Sequence, residues 1–419
     1  MPSGSGASLS RLEPMTPERP GASRVLLLAA VVLVGLNLRP FLTGIGPLAA
    51  DIQAATGLGF GSLSLFTLVP MLLMGVCAFA GPWLQHLLGA RVAVVGALCI
   101  LCAAAALRLV TTSGEGLIAT AALCGLGVAV VQSVFPGIVK AEFPGRVAVV
   151  MGLYSAMLMG GGALGAQLSP VIAERFGSWH LGLGWIALPA ALAALVSAVA
   201  LPSGRAGQRG GLPTFALLRR PRSWLLMVCF GLVNGGYASV VAWLAPAYQA
   251  MGWSGAQSGG LLAVMAASQA VAALGIPALA ARNPDRRFWI WLALACQIAG
   301  FAGLAWWPLA APTGWAVAIG VGLGAGFALF LIVALDHIDN PANAGALSAL
   351  MQGGGFLISA IPPGIVALLR DAGGSFTAGW LMHLICAVLA GLMALRFAPR
   401  GYARAMRLAP EADQALSPR

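Results

Sequence analysis

RVLLLAAVVLVGLNLRPFLTGIGPLAA, residues 24–50, is an apolar run carrying one charged residue beyond its first, Arg39, within Asn37-Leu38-Arg39-Pro40. The run predicts a helix from near Val25 to about Ala50, with Arg39 about 22 Å along it at 1.5 Å per residue. That depth is near the middle of a hydrocarbon layer about 30 Å thick. A cation there costs about 2.5–3.5 kcal/mol on insertion scales, and such residues line pathways or pair with something. No acidic residue stands at comparable depth in any other apolar run, which leaves a substrate as the candidate partner.

Working outward, 59% of the 419 residues are hydrophobic and 8% are charged, which excludes a soluble globular protein. Runs of about 20 apolar residues predict twelve transmembrane spans. Their expected extents are 23–51, 60–86, 91–112, 115–140, 147–173 and 180–201, then 223–248, 256–281, 288–308, 312–335, 343–369 and 376–397. The runs are long and uniformly apolar, so they read as helices and not as alternating barrel strands.

The net charge of +11 is a topology signal and not a nucleic-acid footprint. With the N-terminus in the cytoplasm, 19 of the 23 Lys and Arg residues fall on the cytoplasmic side, in the tails, the short loops and the central segment. Only Arg175 and Arg370 fall outside, while Arg39 and Arg108 are within spans. That asymmetry predicts a multi-pass inner-membrane protein with both ends inside. Residues 1–22 are rich in Pro, Gly and Ser and read as a disordered tail. No small-residue cleavage site follows the first apolar stretch, so no signal peptide is expected.

The seven cysteines all lie in spans, and the Cys99–Cys102 pair, with no polar group nearby, reads as small buried hydrophobes. No nucleophile–base pair, metal-ligand cluster or phosphate loop occurs, so neither enzyme chemistry nor a cofactor is expected.

Segment 202–222 is the one long polar break and divides the chain into a bundle at 23–201 and a bundle at 223–397, followed by a tail at 398–419. An internal repeat supports the division. Gly152-Leu-Tyr-Ser aligns with Gly345-Ala-Leu-Ser at an offset of 193, each followed by a glycine triplet, at Gly160–Gly162 and Gly353–Gly355. Gly125-Leu-Gly127 aligns with Gly322-Leu-Gly324 at 197, and the Gly57-to-Pro82 spacing recurs from Gly252 to Pro277 at 195. Two six-helix bundles in parallel repeat are the architecture of the major facilitator superfamily, which binds substrate between the bundles near the midplane. The glycine triplets read as close helix packing.

The stretches NLRPFLTGIGPLAADI (37–52), FPGIVKAEFPGRVAVVMGLYSA (135–156), AWLAPAYQAMGWS (242–254) and ALSALMQGGGFLISAIPPG (346–364) are spread over both halves. With them the chain resembles the cyanate and 2-nitroimidazole transporter family of that superfamily. The resemblance implies twelve helices, a monomer, and a secondary transporter of a small planar anionic or nitro-bearing solute. The superfamily's Gly-x-x-x-Asp-Arg-x-Gly loop is not kept: aligned on Gly89, the chain has Pro82, His86 and Leu87 in place of Gly, Asp and Arg. Where the family has an Asn early in the fourth helix, this chain has Gln132.

On a continuous helix, Arg39 shares a face with Gly35, Thr43 and Gly46, two glycines leaving room for a ligand and a hydroxyl to bind it. Pro40 frees the Leu36 carbonyl, as suits a cavity lining, and Asn37 points to a helix neighbour. The other candidate pathway residues are Gln132, sharing a face with Pro136, then Tyr154 beside Ser155, then Asn234 and Tyr237 with Trp243 nearby, and Gln352, sharing a face with Ser348. Each also reads as interhelical glue or an interfacial aromatic. Arg108, near the outer end of the third span, can snorkel, and its role reads as structural. Gln269 reads as packing, and His180 and His383 as structural. The acids sit at span ends or in the tails, so uniport, exchange or protonation of the substrate is favoured over a carboxylate relay. The competing functions are a broad drug-efflux pump, disfavoured by 8% aromatics, and a transport-incompetent membrane sensor, disfavoured by tails too short for a signalling domain.

Overall fold

The computed structural model describes residues 21–143, 147–202, 217–280, 282–338 and 341–406. Residues 1–20 of the disordered tail expected at 1–22 and most of the linker expected at 202–222 lie outside the described residues, as does the C-terminal tail beyond 406, whereas Gly21 and Ala22 already belong to the first helix. Among the described residues, twelve helical spans are long and apolar enough to cross a membrane. Spans 1–6 cover Arg24–Thr56, Phe60–Ala78, Ala90–Leu107, Gly114–Phe135, Gly152–Phe176 and Trp179–Ala200. Spans 7–12 cover Pro221–Gln249, Gly255–Ala280, Arg287–Trp306, Pro312–Asp336, Ala346–Gly373 and Thr377–Ala394.

Span 1 is not the continuous helix its composition suggests. It runs Gly21–Asn37, then Pro40–Thr43, a 3-10 turn at Gly46–Leu48, and a last helix Ala49–Thr56. Pro40 has no N–H for the Leu36 carbonyl, and its ring disfavours helical geometry at the preceding residue. Arg39 therefore sits in the break, at φ −119° and ψ −25°. Span 11 breaks at Ala360–Ile361 ahead of Pro362-Pro363, whereas Pro170, Pro246 and Pro277 lie inside continuous helices. The proline pattern alone does not say which spans break.

The repeat holds, with one change of register. Gly57 and Gly252 lie in the loops after spans 1 and 7 at φ 69° and 92°, left-handed values that glycine adopts without strain. Gly125 is pressed against Pro70 of span 2, and Gly320 against Met265 of span 8. Gly127 meets Ala97 of span 3, and Gly322 meets Ala293 of span 9. Packing thus matches Gly125 with Gly320 and Gly127 with Gly322, at the 195 offset of the loop glycines. The sequence match of Gly125 to Gly322 is two residues out.

Glycine lets helix backbones touch in span 5. A Cβ at Gly161 would overlap the Leu36 carbonyl, and one at Gly165 would lie 2.5 Å from the Pro40 Cα. Of the triplet read as packing, Gly161 and Gly162 pack against span 1 and Gly160 does not. Across the molecule, span 5 lies on span 8 and span 2 on span 11. The halves are joined at the ends far from the termini. Gln249 Nε2 of span 7 donates to the Pro47 carbonyl at 2.8 Å and to Ser258 Oγ at 3.0 Å. The Ala256 N–H at the start of span 8 donates to Glu174 Oε1 of span 5 at 3.2 Å. Phe60, Trp243 and Phe376 pack ring to ring there, with the Arg370 guanidinium 5.1 Å from the Phe60 centroid. That end of the interface is closed.

Candidate functional site

The break in span 1 leaves Arg39 inside the molecule with 5% exposure. Its stem lies against Gly162 of span 5, where a Cβ would come 3.4 Å from the Arg39 Cβ. Its guanidinium crosses to the other half, with Cζ 4.3 Å from the ring centroid of Tyr237 in span 7. Stacking occupies one face of the guanidinium and leaves its in-plane donors for another group. Nε is buried and without a partner, and among the described residues no carboxylate lies within ion-pair distance of Arg39.

Tyr237 and Asn234 share one face of span 7 and line a cleft too narrow in this conformation to admit a water molecule. Its other walls are Phe230, Val233, Gln269, Leu323 and Phe327, from spans 7, 8 and 10. Asn234 Nδ2 donates to Ser359 Oγ at 3.2 Å, beside the break in span 11, leaving its carbonyl oxygen as an acceptor. Gln269 is buried on this wall, and its backbone is pressed against Gly324 of span 10.

Tyr154 faces the site from span 5. Its ring stacks on Phe135 of span 4 at 5.2 Å, and its buried hydroxyl has no partner and lies within electrostatic reach of Arg39. Thr43 is also brought beside Arg39, but its hydroxyl donates to the Gly162 carbonyl at 2.7 Å, and the Arg39 carbonyl is 3.3 Å away. Gln132 of span 4 and Gln352 of span 11 are half-buried, with no hydrogen-bond partner among the described residues, and neither lines the cleft. Ser348 is buried on the face shared with Gln352. The side chains of Pro82, His86 and Pro136 lie outside the described residues.

Three sequence expectations change. Gly35 and Gly46 do not leave room for a ligand: a Cβ on the first would meet the Tyr154 carbonyl at 2.9 Å, and on the second the Val241 carbonyl at 2.9 Å. They are points of close helix approach, because the break in span 1 turns Gly46 away from the face of Arg39. Arg108 does not snorkel; it is fully buried and donates to Phe41 and Thr120. Trp243 belongs to the far-end seal, its indole N–H donating to the Pro363 carbonyl at 2.8 Å. Asn37 meets a helix neighbour as expected, donating to the Pro189 carbonyl at 3.1 Å. His383 is buried against Phe301, and His180 stacks on Trp179. Among the described residues, no three His, Cys, Asp or Glu side chains are grouped to hold a metal ion.

A buried cation at a helix break, facing an aromatic of the opposite half, is an arrangement for binding between two repeated bundles. The sequence profile of the Major Facilitator Superfamily matches residues 26–363. The chain belongs to that superfamily. This facilitator is 41% identical over 374 residues to the cyanate transport protein CynX of Escherichia coli (strain K12), an alignment covering 89% of this chain and 97% of that protein. It is 29% identical over 384 residues to the 2-nitroimidazole transporter of the same organism, covering 90% and 95%. In fold it is similar to a bacterial homologue of the human lysosomal transporter Spinster, with TM-score 0.74 at 16% identity, over 94% of this chain and 100% of that one. The chain is a multi-pass secondary transporter of small solutes.

Proposed function

We propose that this transporter carries one small planar solute with a delocalised negative end, a cyanate-like anion or a nitroimidazole-like heterocycle, by alternating access. The observation that carries the reading is Arg39, a buried guanidinium stacked on its face and unpaired at its edge. In-plane N–H groups suit two oxygens, or one anionic end, by charge-assisted hydrogen bonds. The two relatives named for cyanate and 2-nitroimidazole support this ligand chemistry.

In this reading Arg39 anchors the negative end, and Tyr154 and Tyr237 offer a hydroxyl and a ring. The amides of Asn234, Gln132 and Gln352 close around the remainder as the halves rock, and Thr43 serves by fixing the break that presents Arg39. Bound substrate neutralises the buried cation and lowers the cost of closing the bundles around it. With no carboxylate beside Arg39 among the described residues, uniport or exchange suits the site better than a carboxylate relay. The concentration of Lys and Arg in alternate loops and tails supports both termini in the cytoplasm of a bacterium, with the protein acting as a monomer in the inner membrane.

Counterflow in proteoliposomes with labelled cyanate and labelled 2-nitroimidazole tests the proposal, comparing the natural protein with Arg39→Ala. Uptake by the natural protein and loss in the variant is the expected result. Equal uptake by both overturns the anchor; uptake of neither solute overturns the substrate class.

A further inference from the structure

We infer that Arg108 is a positioning residue for Arg39, acting through the helical turn Pro40–Thr43 of span 1. Arg108 caps the C-terminal end of span 3 and is 0% exposed. Among the described residues it has no carboxylate partner, and its side-chain hydrogen bonds go to other spans and not to a carbonyl of its own helix. Nη1 donates to the Phe41 carbonyl at 3.2 Å, and Nε donates to Thr120 Oγ1 of span 4 at 3.2 Å. Thr120 is itself anchored, its hydroxyl donating to the Leu117 carbonyl at 2.7 Å.

Phe41 is two residues past Arg39, in the one-turn helix Pro40–Thr43, beyond which helical pairing stops. The Leu42 and Thr43 N–H groups both turn to the Arg39 carbonyl, and the Gly44 N–H turns to that of Pro40. The Phe41 carbonyl receives no backbone N–H and takes its hydrogen from Arg108 instead. Three neighbours thus grip the segment around the break: Pro189 of span 6 through Asn37, Gly162 of span 5 through Thr43, and Arg108 of span 3 through Phe41. The third is the one side chain of the three that reaches in from outside span 1.

A methionine would fill much of the same volume without a buried charge. A planar fork is what lets one side chain bridge the span 1 backbone and a span 4 hydroxyl. Nη2 is buried and unpartnered, so the cation is not fully compensated by packing. The site it serves is the helical turn Pro40–Thr43 that follows the break. Fixing the Phe41 carbonyl fixes the φ and ψ angles just after Arg39, and so the line along which the guanidinium meets Tyr237. The link to substrate rests on the proposed function; the link to the backbone does not.

The test compares the natural protein with Arg108→Met, Arg108→Lys and Thr120→Val in detergent. Amide hydrogen exchange is read over residues 38–46, with counterflow of labelled cyanate in parallel. In Arg108→Met, exchange in 38–46 is expected to accelerate tenfold or more, with residues 60–75 and 90–105 unchanged, and half-saturation for cyanate to rise about tenfold at unchanged maximal rate. Arg108→Lys is expected to recover part of both, and Thr120→Val, which keeps the cation, to give a smaller acceleration confined to the same segment. Exchange in 38–46 equal to the natural protein in Arg108→Met overturns the inference. So does acceleration spread evenly over spans 1 to 4, the signature of a merely structural residue. If Arg108→Met does not fold, Thr120→Val decides by the same criterion. Exchange needs no substrate, so failure of cyanate transport in the natural protein counts against the proposed function alone.

Discussion

The guanidinium of Arg39, in the break of span 1, lies 4.3 Å over the ring of Tyr237 in the opposite six-helix half. The contact joins residues 198 positions apart in the chain and spans the boundary along which the two bundles must move. In the proposed reading, a substrate held at the guanidinium edge is sensed by both halves at once.

Arg39→Ala removes charge-assisted hydrogen bonds worth about 1.5–3 kcal/mol, so substrate affinity is expected to fall about 10- to 150-fold. Arg39→Lys keeps the charge but not the fork, and is expected to recover only part of the loss. Half-saturation in counterflow measures both.

Tyr237→Phe keeps a ring beneath the cation, and Tyr237→Leu removes it. A desolvated cation–π contact is worth about 2 kcal/mol. The leucine variant is expected to bind labelled substrate about 30-fold more weakly, and the phenylalanine variant to stay within a few-fold of the natural protein. Similar losses in both would instead assign the role to the hydroxyl.

Gln249 ties span 7 to the Pro47 carbonyl and to Ser258 at the closed end of the interface. The one of these bonds that crosses the interface, to Pro47, at about 1 kcal/mol net, gives Gln249→Ala an expected shift toward opening of about 5-fold. Spin labels on the exposed residues Thr112 and Leu309 read the distance across that end. A broadened, longer distribution is expected in Gln249→Ala and none in Gln257→Ala, whose bonds stay within its own loop.

Gly160 and Gly161 are neighbours with opposite surroundings. A Cβ at Gly160 meets nothing within 4 Å, whereas one at Gly161 overlaps the Leu36 carbonyl. Gly160→Ala is expected to leave thermal stability unchanged or raise it by up to about 1 kcal/mol through helix propensity. Gly161→Ala is expected to lower it by about 1–3 kcal/mol, because backbone cannot yield as a side chain does.

His337, just past span 10, stacks on Tyr402 at 3.8 Å, packing the short helix Tyr402–Met406 onto the bundle. Burial pushes its imidazole down to about 4 from an ordinary 6.5, against the raising effect of the Val333 carbonyl and with a smaller push from Arg222. Between those values the unfolded chain binds more protons than the folded one, so stability falls as pH drops through the window and levels off below it. Thermal unfolding between pH 4 and 7 is expected to show that slope in the natural protein and a flatter one in His337→Phe.

The twelve spans, their division into two sixes and the isolation of Arg39 are all legible in the linear chain. Burying twenty residues in hydrocarbon is a constraint on composition, and a cation stands out against it wherever it folds. Periodicity reports which residues share a helix face only while the helix is continuous. Pro40 ends that continuity, so Gly35 and Gly46 became packing contacts and Thr43 a backbone tether. Which neighbour meets a face depends on contacts between residues a hundred or more positions apart. Only the tertiary structure could turn Arg108 inward to Phe41, set Gln269 on the wall of the cleft beside Tyr237, and move the glycine register of spans 4 and 10 by two residues. Composition determined that the chain lives in a membrane and where its one deep cation falls in span 1; helix-on-helix packing decided what that cation touches, because a helix face has no partner until another backbone is laid against it.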